Sequence, residues 1–410
     1  MKISAVTTRP FRIDLNRPIG DANSPQGRRA LAGLIVSVHC ASGRGVSGGS
    51  EHGGAETTGI SIAPADAGDA IRGLAELLVG ADPRGVRGLW QRMNDALFKG
   101  GAVGVAGDAM GSLDVALWDL KGKLAGEPLW RLLGAADPRV RAYASGLDLP
   151  LADAELDAYY RRMAAAGVRA GKLKVGLDLQ HDLRRLAIVR DALATAPVGC
   201  GAPALMIDAN EYWAPKQAVR RVAVFEERFD LTWVEEPARR WDYRGLRTVS
   251  RAIRAAVATG ENLDCLSQYR PLVEHGAVDI VQVGTNAGGI TGALQVAELA
   301  YAFDLPVAMM NSPGSFLAHV AAALPNHLMI EVLDAGRGAI FDRDLVLRDG
   351  YLHLGERPGL GMVLDEERLA AAEAAAREAA AGEGGLDAGA VPAGRRAGAG
   401  LIEHPPERWP

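Results

Sequence analysis

The chain has little of what several large classes of protein need. Only three of its 410 residues are cysteines, Cys40, Cys200 and Cys265, set far apart without metal-ligand spacing. They read as reduced thiols of a cytoplasmic protein rather than as a disulfide framework. No run of about 18 apolar residues occurs, so no membrane-spanning helix is expected. The N-terminus, MKISAVTTRPFRIDL, lacks the apolar stretch of an export signal. Net charge is −5 and no Lys/Arg-rich stripe stands out, so no nucleic-acid partner is expected. What remains is ordinary for a globular enzyme: 48% hydrophobic and 23% charged residues, in a length that suits two domains.

The first part, residues 1–135, reads as an α+β unit. Alternating apolar residues from Ala5 to Leu15 and an apolar run from Leu34 to Cys40 predict antiparallel strands. A polar loop, Arg17 to Gln26, lies between them, and a Gly-rich loop runs from Ser47 to Glu56. A helical pattern then leads to GSLDVALWDLKGKLAGEPLWRLLG, where Gly126 and Pro128 end one helix and start another. Residues 136–341 change rhythm. Eight short runs, VRAYAS, GKLKVG, ALMIDAN, LTWVEEP, AVATGEN, VDIVQVG, LPVAMMN and LMIEVLD, alternate with amphipathic helical stretches. Eight such units predict a (β/α)8 barrel. A doubly wound sheet is the alternative, but no Gly-rich phosphate loop follows VRAYAS. Residues 342–383 read as a hairpin and helix returning to the first unit, and 384–410 as a Gly/Ala/Pro-rich tail outside the core.

Chemistry is carried by charge at the C-terminal ends of the apolar runs, the active-site face of such a barrel. Asp208, Glu235 and Glu261 end three consecutive runs, 27 and 26 residues apart. Three converging anions repel unless a cation lies among them, and all-oxygen ligands favour Mg²⁺, with Mn²⁺ the alternative. One unit upstream, Lys172 and Lys174 flank Leu173. Residues i and i+2 share a strand face, so both ammonium groups point into the mouth. A second ammonium, burial and a metal are each expected to lower the Lys174 pKa and make it a usable base.

In combination, GKLKVG, MIDANEYW, WVEEP, GEN, LDVALWDLKGKLAGEPLWRLLG, NAGGITG and PGLGMVLDEERL resemble the enolase superfamily, in its mandelate racemase-like branch, over roughly residues 1 to 370. The resemblance implies Asp208, Glu235 and Glu261 as Mg²⁺ ligands and Lys174 as the base. Lys172 would hold the substrate carboxylate and Glu331 would meet it opposite the metal. Asn210, Asn262 and Asn311 become substrate contacts or supports for the ligands. Loops at Asp21–Ser24 and Ser50–His52 would cap the site, with His52 a substrate contact. A small carboxylate substrate and a homo-oligomer are expected.

One part of that pattern is missing. Aligned on Gly288-Gly289, the Asp of the usual second-base His–Asp pair falls on Val283, and the His position holds Met310 or Asn311. His319 lies in an apolar helix and reads as structural. The expected reaction is therefore one-base chemistry, dehydration of an acid sugar or related hydroxy-carboxylate. A cycloisomerase or epimerase is the alternative, and a non-catalytic carboxylate-binding paralogue is the alternative of another class.

Overall fold

The computed structural model describes residues 1–41, 56–197, 199 and 201–383. Alternation of apolar and polar side chains builds an antiparallel sheet of β1 (Lys2–Ile19), β2 (Arg28–Ala41) and β3 (Glu56–Ala63), in that order. β1 runs two residues past the expected loop start at Arg17, because Ile19 still pairs with Arg28. Helix Gly104–Ala125 packs on this sheet and ends at Gly126, whose φ of 70° is the left-handed conformation that stops a helix. Its close approach depends on Gly59: a Cβ there would overlap the carbonyl of Ala116. Leu113, Leu117 and Leu120 are fully buried, and each contributes about 1.5–3 kcal/mol of burial.

Eight parallel strands follow, each at one of the predicted runs: β4 (Arg139–Ser145), β5 (Ala170–Lys174), β6 (Ala204–Asp208), β7 (Leu231–Glu235), β8 (Ala256–Thr259), β9 (Ile280–Val283), β10 (Val307–Met309) and β11 (His327–Val332). β11 pairs back to β4 and closes the barrel. The (β/α)8 expectation holds. Inward side chains Tyr143, Ala170, Met206, Trp233, Ala258, Ile280, Ala308 and Met329 pack as one inner cluster. Tyr143 and Trp233 meet edge to face at 5.1 Å between ring centres. This apolar plug is the floor on which the charged layer rests.

Beyond the barrel, β12 (Phe341–Arg343) pairs with β15 (Met362–Leu364), and between them β13 (Leu345–Arg348) and β14 (Tyr351–Leu354) form a hairpin. β14 adds antiparallel to the start of β4. Helix Glu366–Glu383 then lies on β1, where Arg9 bonds Glu366 at 2.7 Å and Glu373 at 2.9 Å. The sequence reading of the tail, and of His52, falls outside the described residues. Among those described, no helix is long and apolar enough to cross a membrane.

Candidate active site

Strand register assembles the charged layer. Lys174 stands opposite Asp208 across β5 and β6, and Asp208 opposite Glu235 across β6 and β7. Three titratable side chains therefore lie at one level of the mouth. Leu173 packs outward while Lys172 and Lys174 point in, as strand parity requires. Glu261 sits two residues past β8, after Gly260, and joins the same group from a turn.

Both lysines are almost fully buried, and both are paired. Lys172 Nζ bonds Glu235, lies 3.0 Å from Glu331 Oε1 and 3.3 Å from Asp208 Oδ2. Lys174 Nζ bonds Asp208. Trp233 Nε1 donates to the second oxygen of Glu235 at 3.2 Å. The expected lowering of the Lys174 pKa counted a metal ion among its causes; the protein's own groups act the other way. Burial does push Lys174 down, but the negative charge of Asp208, with Glu261 and Glu235, outweighs burial and the neighbouring Lys172, and the net shift is upward. Lys172 shifts the same way, burial being overcome by Glu235 and Glu331. By themselves these acids favour the protonated form of Lys174.

The acids divide between two states. Burial would raise Asp208, but Lys174 and Lys172 hold it below the usual carboxylate range. Glu235 goes up, through burial and then the charge of Asp208. Glu261 is pushed up to about 7, burial being the largest cause. Glu236 also goes up, by burial and then by Glu261. Asn262 Nδ2 donates to Glu236 Oε1 at 2.7 Å, while Glu236 Oε2 is buried with no partner. Asn262 is therefore occupied in holding an acid.

Five carboxylates, Asp208, Glu235, Glu236, Glu261 and Glu331, thus face two ammonium groups. Asp208, Glu235 and Glu331 are drawn onto the lysines rather than to one point, and among the described residues no three His, Cys, Asp or Glu side chains converge as a metal cage. The donor set nevertheless fits a hard divalent cation. It is all oxygen, carries surplus negative charge, and includes an orphaned buried carboxylate oxygen. Strain gathers at the same spot: Asn210, Glu211 and Glu236 have φ of 45°, 59° and 43°, a conformation costing on the order of 1–3 kcal/mol each.

The first sheet closes over the mouth. Gly20 N donates to Leu147 O at 2.8 Å, and Asn23 Nδ2 donates to Asn210 O at 2.8 Å. Asp21 Oδ1 accepts from the backbone of Asn23 and Ser24 and shapes that turn. Asn210 N also donates to Asp208 Oδ1 at 2.8 Å, while its side-chain oxygen is buried without a partner. Asn311 gives its backbone N–H and its amide to Glu331 Oε2 and takes a bond from Arg337 Nη1. It positions Glu331, and its side chain has little left for substrate.

Among the described residues, the wall facing the lysines has no titratable group. Val283 packs outward in the main core, so parity turns Gln282 and Gly284 inward, and Met310 Sδ lies against Gly284. His319 is buried elsewhere, with Trp130 N donating to its Nδ1 at 3.2 Å, in the structural role expected. A cavity of about 700 Å³ opens between the segments that follow β9 and β10 and the first sheet, lined by Phe11, Arg12, Arg28, Asn286 and Ser312 among others. Sequence reasoning missed Arg337, Gln282 and the cavity arginines. Only an isolated arginine in the Gly-rich stretch after the eighth strand, AGRGAIF, pointed to the first of these.

A closed parallel barrel with two lysines on its second strand, acids on the next three and an antiparallel sheet over its mouth defines a class of carboxylate-handling enzymes. The chain belongs to the mandelate racemase/muconate lactonizing enzyme family: residues 13–134 match that family's N-terminal domain and residues 155–368 match the enolase C-terminal domain-like model. It is 37% identical over 296 residues to a 3,6-anhydro-alpha-L-galactonate cycloisomerase of Streptomyces coelicolor, covering 71% of this chain and 79% of that one. It is 33% identical over 368 residues to an L-talarate/galactarate dehydratase of Salmonella typhimurium, covering 87% of both. An L-talarate dehydratase from a Polaromonas species, solved with Mg and L-glucarate, superposes with a TM-score of 0.78 at 31% identity, over 90% of this chain and 97% of that one.

Proposed function

We propose that this protein dehydrates an acid sugar in the presence of Mg²⁺, beginning with removal of the proton α to the carboxylate. The observation that carries the reading is the shared register of Lys174, Asp208 and Glu235, opposite a wall of Gln282, Gly284 and Met310. Asp208, Glu235 and Glu261 would hold the ion. A bound Mg²⁺ supplies positive charge beside the substrate carboxylate, where negative charge develops as the α-proton leaves.

The remaining roles belong to the chain. Lys174 is the base. It must first give up the proton that Asp208 now holds on it, and that acid is one of the proposed ion ligands. Lys172, fixed by Glu235 and Glu331, donates to the substrate carboxylate. Glu331, oriented by Asn311, contacts the carboxylate from the other side. Breaking the α C–H bond leaves an electron pair that forms the C=C bond of the enol product and expels the β-hydroxyl. The proton on Lys174 leaves with that hydroxyl as water, and the enol tautomerises to a 2-keto acid. Among the described residues Lys174 is the base that flanks the α-carbon, and this reading expects one α-configuration to be processed. A cycloisomerase shares the first step. The 37% identity to such an enzyme supports it as the second reading, with ring oxygen in place of hydroxyl as leaving group.

The test is turnover of an acid-sugar panel with Mg²⁺ in D₂O. The dehydratase reading expects 2-keto-3-deoxy acid, no interconversion of α-epimers, and loss of activity on chelation. Rapid epimer exchange, or no proton removal from any member, overturns it.

A further inference from the structure

One guanidinium joins the three strand ends that carry Asp208, Glu235 and Glu261. Asp208 is followed by Asn210 and Glu211, Glu235 by Glu236 and then Arg240, and Glu261 by Asn262. Arg240 grips Glu211 with its fork, Nε donating to Oε1 at 2.6 Å and Nη2 to Oε2 at 3.1 Å. Its backbone N–H donates to the same Oε1 at 3.1 Å. Its Nη1 donates to Asn262 O at 2.7 Å. The segment after β7 thus holds the segment after β6 by a two-bond ion pair and the segment after β8 by a carbonyl. Both Glu211 oxygens accept from Arg240, and Glu211 is 3% exposed, so the pair is a fixed strut with no net charge.

The backbone that this strut braces is strained. Asn210, Glu211 and Glu236 lie in the left-handed region, and Gly260, just before Glu261, has a φ of 126°. Neighbouring segments are tied in pairs: Ala209 N donates to Glu235 O at 3.1 Å, Glu211 N to Glu236 O at 2.9 Å and Glu236 N to Ala258 O at 2.9 Å. Arg240 spans all three segments at once, and Asn23 of the covering sheet holds the same stretch from outside through Asn210 O. A small hard cation tolerates little error in the placing of its oxygen ligands. Groups that orient the ligands from behind are typically worth about 10–100-fold in metal affinity.

We infer that Arg240, acting through Glu211 and Asn262, is a positioning residue that fixes the spacing of Asp208, Glu235 and Glu261 and so sets the affinity for Mg²⁺. The inference rests on the metal reading above. A purely electrostatic role would have the opposite sign. A cation near a cation site weakens binding, so removing Arg240 while Glu211 stays charged would then tighten it.

The experiment measures metal affinity and stability side by side. The full chain, stripped of divalent ions with a chelator and dialysed, is titrated calorimetrically with MgCl₂, and its thermal unfolding is followed without metal. Arg240→Lys keeps the charge and loses the fork, and Arg240→Met loses both. Each should weaken Mg²⁺ binding by roughly tenfold or more. Adding Glu211→Gln to Arg240→Met should weaken it little further, because both changes break the same contact. A loss of less than about threefold in Arg240→Lys, tighter binding in Arg240→Met, or additive losses in the double variant overturns the inference. So does a lower unfolding temperature with unchanged Mg²⁺ affinity, which would make the pair a fastener of the fold. If Arg240→Met fails to fold, Arg240→Lys decides; if neither folds, the pair is again a fastener and the inference falls. Absence of Mg²⁺ binding by the wild type would remove the metal reading itself, and the inference with it.

Discussion

Helix Gly104–Ala125 and the barrel mouth both bury carboxylates, and they treat them in opposite ways. On the helix, Asp119 accepts from Ile60 N at 2.8 Å, Leu360 N at 2.8 Å and Lys123 Nζ at 2.6 Å. It ties the first sheet to the C-terminal segment. Asp114 accepts from Thr291 Oγ1 at 2.6 Å and Thr291 N at 2.8 Å, and ties the same helix to the barrel. Every oxygen of these two acids is used. In the mouth three acids share Lys172, three (Glu235, Glu236 and Glu261) are pushed up by burial and then by neighbouring charge, and Glu236 keeps an orphaned oxygen. A buried acid with complete bonds is a fastener. A buried acid with surplus charge is stability given up for chemistry.

The largest expected effect concerns the mouth. Lys174→Ala should lower turnover by roughly 10²–10⁴-fold, the usual contribution of a positioned base, with little change in thermal stability or in Mg²⁺ binding. Stopped assays and a metal titration on one preparation check both halves. A near-normal rate would remove Lys174 from the reaction.

Next comes the contrast in stability. Asp119→Ala should cost about 3 kcal/mol in denaturant unfolding, because it leaves two buried N–H groups and Lys123 without their acceptor. Glu236→Gln should change stability by less than about 1 kcal/mol without added metal, since burial and Glu261 already favour the uncharged acid there. If both variants lost the same stability, the distinction between fastener and site would collapse.

The smallest effect is a pH slope. Burial pushes Asp114 up to about 7, only partly offset by the bonds from Thr291. Its unfolded value is about 3.9, so the folded chain holds this proton more tightly. The contribution is therefore complete below about pH 4 and is lost as pH rises through about 7. Asp114→Asn mimics the protonated form. From pH 5 to pH 8 the wild type should lose about 1 kcal/mol or more relative to that variant. Parallel unfolding curves at the two pH values test this, and an unchanged difference would show that Asp114 stays ionised.

The sequence alone determined the eight barrel strands, the inward aim of Lys172 and Lys174, and the strand-end placement of Asp208 and Glu235. Each follows from period-two alternation and from turn residues close along the chain. Gly126 as a helix stop was legible for the same reason. What only the tertiary structure decided depends on groups far apart in sequence. The upward shift of Lys174 sums acids from three strand ends, Asp208, Glu235 and Glu261. Asn311 is taken by Glu331 on one side and Arg337 on the other. Val283 faces outward, leaving Gln282, Gly284 and Met310 to form the neutral wall. Coulomb interactions and hydrogen-bond competition act through space, and no local pattern along the chain encodes which distant group will be nearest.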